Sequence, residues 1–237
     1  MKEKSGSTVD ADEIERFSRI ADEWWDERGK FKPLHRINPV RIGYILEQAG
    51  PLEGLRLLDI GCGGGLIAEP MARLGASVTA IDASEKNIKV ASLHAERGGL
   101  TIDYRCTTAE DLLATGAPFD VVLSLEIVEH VADVEAFVAA ACGLVKPGGL
   151  MIWSTLNRTA KSYALAIVGA EYVLRWLPRG THTWSKFLKP SELCTQLRRN
   201  DMELVDMTGM VMNPLTFKWE LNARDVSVNY LLAARKS

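Results

Sequence analysis

The amino-acid sequence predicts an α/β fold, with a mostly parallel central sheet covered by helices on both faces. Two observations carry that expectation. Between residues 55 and 155 short apolar runs alternate with segments of helical periodicity, the pattern of parallel strands joined by crossover helices. A glycine-rich turn, Asp59-Ile60-Gly61-Cys62-Gly63-Gly64-Gly65, lies where the first apolar run meets the first of those helices. The chain has 237 residues, roughly 1.6 domains at about 150 residues each. One domain over residues 1–237, carrying an insertion after the fifth strand, fits that length better than two.

Taken in order, residues 1 to about 10 are polar. From Asp12 the apolar residues Ile14, Phe17, Ile20, Ala21, Trp24 and Trp25 recur at three-to-four spacing, which predicts a helix. Pro33 and Pro39 break the pattern, and a second helix over 40–48 stops at Gly50-Pro51. The alternation follows: strands at 55–60, 77–82, 101–106, 119–125 and 150–155, with helices at 66–74, 85–96, near Asp111, and at 134–144. Residues 146–149 read as a turn. After Leu156 the rhythm breaks, then resumes with a helix at 191–198 and strands at 202–208 and 227–234. Residues 158–189 form the insertion.

Composition excludes several classes. Hydrophobic residues make up 47% and charged residues 25%, ordinary for a folded globular chain. A net charge of -3 lacks the basic balance of many nucleic-acid binders, so no nucleic-acid partner is expected. The total conceals an asymmetry: eight basic and two acidic residues lie between Arg158 and Arg199, so that stretch carries +6 and the remainder -9. Cys62, Cys106, Cys142 and Cys194 form no C-x-x-C pair, so a reducing cytoplasm is expected. No signal or transit peptide is recognisable at the N-terminus. The longest uncharged apolar stretch, 162–170, is far short of the ~20 residues that span a bilayer.

Three constellations carry chemistry. The first is the glycine turn, whose backbone admits close approach of a ligand beside a helix N-terminus. A dinucleotide fingerprint would need glycine at position 66, where Leu66 stands. The observed G-x-G-x-G, with Asp59 two residues before Gly61, resembles motif I of class I S-adenosylmethionine (SAM) methyltransferases. Asp82, 21 residues after Gly61, ends the second strand, where a carboxylate accepts ribose hydroxyls. The plainer alternative is a tight turn with Asp82 as a helix cap. Thr108-Ala109-Glu110-Asp111 follows the third strand, where that family touches adenine, and Lys146-Pro147-Gly148-Gly149 matches its usual turn.

The second is Glu126-Ile127-Val128-Glu129-His130, directly after the fourth strand, where ligands of open α/β sheets sit. In a helical turn Glu126, Glu129 and His130 share one face. His130 and Glu126 are then candidate bases, and the three together suit a hard cation such as Mg²⁺. Alternatively, Glu126 contacts the cofactor and Glu129 faces solvent. The third is the insertion, drawn over 161–179 as a mainly apolar helix with basic flanks. Such a helix suits an anionic membrane interface, a lid over the site, or both.

With these residues in view, the sequence resembles the bacterial ubiquinone-biosynthesis O-methyltransferases, which methylate 2-polyprenyl-6-hydroxyphenol and 3-demethylubiquinol. Its distinctive stretches are Trp24-Trp25-Asp26, residues 31–39, residues 58–65, Glu129-His130-Val131, residues 154–158 and residues 168–172. The resemblance runs from about Ile14 to the C-terminus and is weaker at 184–187 and after Met212. It implies a Rossmann-like class I SAM methyltransferase fold, with N-terminal helices over residues 1–50 covering the cofactor pocket. It implies SAM contacts at Arg41, Gly61, Asp82 and Leu125, to which motif and position add Asp59, Gly63, Gly65, Ala109 and Glu110. Eukaryotic relatives suggest a divalent metal at Glu126, Glu129 and His130. The reaction expected is methylation of a phenolic hydroxyl on a polyprenylated catechol or hydroquinol. The protein is expected in the cytoplasm, held at the inner membrane by residues 158–189, with other ubiquinone-biosynthesis proteins as candidate partners. Rival expectations are a methyltransferase for another small molecule and a non-catalytic membrane-associated subunit.

Overall fold

The structure is a computed structural model and describes residues 8–165, 167, 183–213 and 216–237. These form an eight-stranded sheet in the order β3-β2-β1-β4-β5-β8-β6-β7. The first five strands, β1 (Arg56–Ile60), β2 (Ser77–Asp82), β3 (Asp103–Cys106), β4 (Phe119–Leu125) and β5 (Val145–Leu156), are parallel. β8 (Asn229–Lys236) runs antiparallel between β5 and β6 (Met202–Met212), and β7 (Trp219–Asn222) closes the edge against β6.

The apolar runs of the central strands are continuous because both faces are covered. Successive residues bury into opposite layers. Leu58, Val122, Met151 and Trp153 pack with Phe137, Leu193 and Tyr230 on one side. Leu57, Leu123 and Ile152 pack with Tyr44, Ile45 and Met71 on the other. The covering helices are α2 (Lys32–Ala49), α3 (Ala68–Arg73), α4 (Glu85–Arg97), α5 (Ala109–Thr115), α6 (Val134–Gly143) and α8 (Pro190–Arg199). Ser84, Thr108 and Asp133 cap α4, α5 and α6, each accepting from a backbone N–H in the first turn.

Several boundaries differ from the sequence expectation. The prolines do not delay the second helix: α2 starts at Lys32, with Pro33 in its first turn and Pro39 inside it. A first-turn proline loses no helical hydrogen bond, and burial of Ile37, Arg41, Tyr44 and Ile45 outweighs the bond that Pro39 removes. The first helix, α1 (Ala11–Arg19), is shorter than expected, and Trp24 and Trp25 follow a separate 3₁₀ turn over Ala21–Glu23. Residues 146–149 are absorbed into β5, where its pairing with β4 shifts register near Phe119 and Gly148 adopts φ +71°. β7, short and half-exposed, was not foreseen. Of the expected insertion helix, the short α7 (Ala160–Ser162) is present, capped by Thr159. Residues 166 and 168–182, which carry most of that expectation, lie outside the described residues. No helix among the described residues is long and apolar enough to cross a membrane.

Candidate active site

The carboxyl ends of β1, β2, β3 and β4 point to one edge of the sheet, and the predicted site residues gather there. Buried β1 ends in the glycine turn, which is tied to β2: Gly61 and Cys62 donate N–H to the Ile81 carbonyl at 2.8 and 2.9 Å, and Gly63 N–H donates to Asp82 Oδ2 at 2.9 Å. Two glycines are dictated by geometry. Gly61 has φ +73° and its missing Cβ would sit 2.8 Å from Ile127. Gly63 has φ +52° and a Cβ there would strike the Trp24 ring at 2.5 Å. Both conformation and close approach exclude a side chain.

Two carboxylates face this turn. Asp82 accepts from Ser84 N–H at 2.8 Å and from Asn87 Nδ2 at 3.2 Å, and burial raises its pKa. Asp59 is 3% exposed and its Oδ2 has no hydrogen-bond partner. Burial, then the charge of Asp82, pushes the Asp59 pKa up to about 7. Two acids crowded in a dry place leave one unsatisfied, which favours a cationic ligand. Asp82 ends β2 and braces the start of α4 through Ser84 and Asn87, but the cap of that helix is Ser84. Ala109 is buried at the start of α5, Glu110 accepts from the Thr8 hydroxyl at 2.6 Å, and Leu125 ends β4.

The turn after β4 is assembled differently. Glu126 has φ +55°, an uncommon conformation for a residue with a side chain. It is held there by its N–H to the Ser154 carbonyl at 2.8 Å, by an ion pair with buried Arg41 at 2.6 Å, and by the Ser154 hydroxyl. Glu129 is 3% exposed, not facing solvent, and accepts from Thr155 Oγ1 at 2.8 Å. Burial, then the charge of Glu126, raises its pKa well above the ordinary carboxylate range, and its Oε1 has no hydrogen-bond partner. His130 turns elsewhere: Nδ1 lies 3.2 Å from Glu13 Oε2.

The three residues therefore do not share one face, because the turn is a 3₁₀ turn over Val128–His130 preceded by the left-handed Glu126. Glu126 acts on Glu129 through its charge, while the imidazole pairs with Glu13 from α1. Among the described residues no three His, Cys, Asp or Glu side chains are grouped so as to hold a metal ion. The donor set does not fit a divalent cation in this arrangement, since the Arg41 guanidinium already neutralises Glu126.

The N-terminal segment lies across this edge. Thr8 reaches Glu110, Ser18 Oγ is 2.5 Å from Ser84 Oγ, Trp24 Nε1 donates to Asn87 at 3.0 Å, and Trp25 Nε1 donates to the Gly64 carbonyl at 2.9 Å. Trp25 also stacks on His94, whose Nδ1 is 2.6 Å from buried Glu69.

Residues 58–153 match the family model of a methyltransferase domain. Over 98% of both chains, the sequence is 57% identical to a ubiquinone biosynthesis O-methyltransferase from Cereibacter sphaeroides. The chain belongs to the ubiquinone biosynthesis O-methyltransferase family. A relative of the same name from Roseobacter denitrificans is 58% identical over 97% of both chains, and one from Brucella ovis is 54% identical over 100% of this chain and 99% of the other. Among solved structures, the magnesium protoporphyrin IX methyltransferase from Synechocystis with bound SAH superposes with a TM-score of 0.68 at 22% identity, covering 96% of this chain and 95% of that one. That likeness shows the class I SAM methyltransferase fold. The protein is accordingly a SAM-dependent O-methyltransferase.

Within this family member, sequence reasoning missed the partners that complete the turn after β4. Glu13, Ser154 and Thr155 are each far from residues 126–130 in the chain, and no local spacing links them. Trp24 and Trp25 read as one helical stripe, whereas they leave the helix to cover Gly63 and bond Gly64.

Proposed function

We propose that the protein transfers the methyl group of SAM to a phenolic hydroxyl of a polyprenylated catechol or hydroquinol, with His130 as the base. The observation that carries this reading is the buried polar edge itself: an unpartnered carboxylate oxygen on Asp59, an unpartnered Nε on Arg41 and the glycine turn beside Asp82. Those residues suit a ligand bearing a carboxylate, a cation and ribose hydroxyls. Arg41 would hold the carboxylate, Asp59 the cationic end and Asp82 the ribose. Gly61, Gly63 and Gly65 would let the backbone approach, with Ala109, Glu110 and Leu125 around the base and chain.

Bound SAM supplies an activated methyl on a sulfonium, so the protein's main tasks are alignment and proton removal. A phenol of pKa ~10 is mostly protonated at neutral pH. His130 accepts that proton, a contribution typically of 10²–10⁴ in rate. Burial and the charge of Glu126 raise the Glu129 pKa, and Glu129 is tied to Thr155. Glu126 keeps its charge against Arg41 and orients that side chain. No step needs a metal at this turn. The polyprenyl tail of the proposed substrate partitions into a bilayer, which gives the basic stretch between Arg158 and Arg199 a reason to meet an anionic membrane from the cytoplasmic side.

The test is incubation with methyl-labelled SAM and a soluble short-tailed catechol, with and without a chelator. Label on the phenolic oxygen, undiminished by chelation and reduced at least a hundredfold in His130→Ala, is the expected result. Full turnover in His130→Ala would remove the base, and dependence on added Mg²⁺ would restore the metal.

A further inference from the structure

The N-terminal segment reaches the turn after β4 through an acid that the reaction scheme has not used. Glu13 sits on α1, and its carboxylate is 17% exposed where it meets His130 Nδ1 at 3.2 Å; the imidazole is 10% exposed. The segment around it is fixed on both sides. Ala132 N–H donates to the Thr8 carbonyl at 2.7 Å, and Asp10 accepts from Lys186 at 2.9 Å.

We propose that Glu13 is a positioning residue for methyl transfer: it accepts the Nδ1–H of His130, which fixes the ring and leaves Nε2 to take the phenolic proton. The proposal rests on the reading of His130 as base. A neutral imidazole carries one N–H, and the group bonded to it decides which nitrogen remains basic. During transfer the phenolic proton moves to Nε2, the oxygen's electron pair forms the new C–O bond, and the C–S bond breaks with its pair left on sulfur. The imidazolium so formed keeps its Nδ1–H on Glu13, whose negative charge stabilises it. Water later removes the Nε2 proton.

The charges around Glu13 suit that task. Burial alone would raise its pKa, but the hydrogen bond and charge of His130, with Arg16 on its own helix and Lys186 ahead of α8, hold it below its ordinary value. Lys186 is in turn paired with Asp10. On the His130 side, Glu126 is balanced by Arg41, and burial raises the Glu129 pKa. Glu13 is thus the ionised carboxylate bonded to the ring at neutral pH. Because α1 supplies it, the base is completed by a segment more than a hundred residues away in the chain, lying over the same edge as the cofactor residues.

Glu13→Gln, Glu13→Asp and His130→Ala test this, with single-turnover rates followed across pH and the His130 ring titrated by NMR. Removing the carboxylate makes the imidazolium less favourable, so its pKa falls. In Glu13→Gln the acidic limb of the rate profile is expected to move down by about one pH unit, with the NMR titration moving equally. The plateau rate is expected to fall about tenfold, with the SAM dissociation constant unchanged, and Glu13→Asp is expected to restore most of both. A Glu13→Gln profile and titration that match wild type, while His130→Ala is inactive, would overturn the proposal and leave the base intact. Wild-type turnover in His130→Ala would overturn both.

Discussion

The glycine turn and the turn after β4 stand at the same edge of one sheet, yet they are built on opposite plans. The first closes on itself: Asp59, Gly61, Gly63 and Asp82 fall within 24 residues, and strand pairing of β1 with β2 brings them together. The second borrows nearly everything. Glu126 depends on Arg41 from α2 and Ser154 from β5, Glu129 on Thr155, and His130 on Glu13. Trp24, Trp25 and Ile127 pack on the first turn from outside, but its acids and backbone ties are local, whereas the ties of the second turn are exposed to changes across the chain.

The largest effect should follow from cutting one of those loans. Arg41→Met strands Glu126 in a largely buried place, and breaking such a pair typically costs 3–5 kcal/mol. Chemical denaturation should show a loss of about 3 kcal/mol, with much of it recovered in the Arg41→Met, Glu126→Gln double variant. A loss that the double variant does not recover would mean Arg41 acts by packing alone.

At the glycine turn the corresponding damage is to binding. Asp82→Ala should weaken SAM about a hundredfold in calorimetry, or roughly 2.7 kcal/mol, with little change in fold by circular dichroism. Unaltered affinity would reduce Asp82 to a brace for the start of α4.

Asp59→Asn separates stability from function. An acid whose folded pKa is raised from 3.8 to about 7 costs nothing below its unfolded pKa, and the cost grows as pH climbs to 7 and is constant above it. Asp59→Asn should therefore match wild type near pH 4 and, without cofactor, be the more stable of the two at pH 8. The same change should weaken SAM, since the anionic partner of the cation is gone. A variant less stable at pH 8 would show that the carboxylate is satisfied.

This contrast explains what the sequence made legible. The strands β1, β4 and β5 were visible because both faces are buried and the apolar runs are dense. The glycine turn was visible because its constraints are local: φ beyond +50° and no room for a Cβ. Helix α2 was misread because proline rules describe the backbone, while burial of Tyr44 and Ile45 decided its extent. The grouping of Glu126, Glu129 and His130 was drawn from helical spacing. A left-handed Glu126 and a 3₁₀ turn broke that spacing, and neither has a sequence signature as plain as glycine's. Glu13 carried no signal, because its partner is brought near only by the packing of α1 across the sheet edge.

The central claim is a division of labour, in which one turn holds the cofactor and the other removes the proton. Measuring the SAM dissociation constant and the single-turnover rate together on His130→Ala tests it most directly. The account predicts a dissociation constant within about threefold of wild type and a rate lower by about a hundredfold or more. A dissociation constant that weakens in proportion to the rate would place His130 with the cofactor and contradict the division.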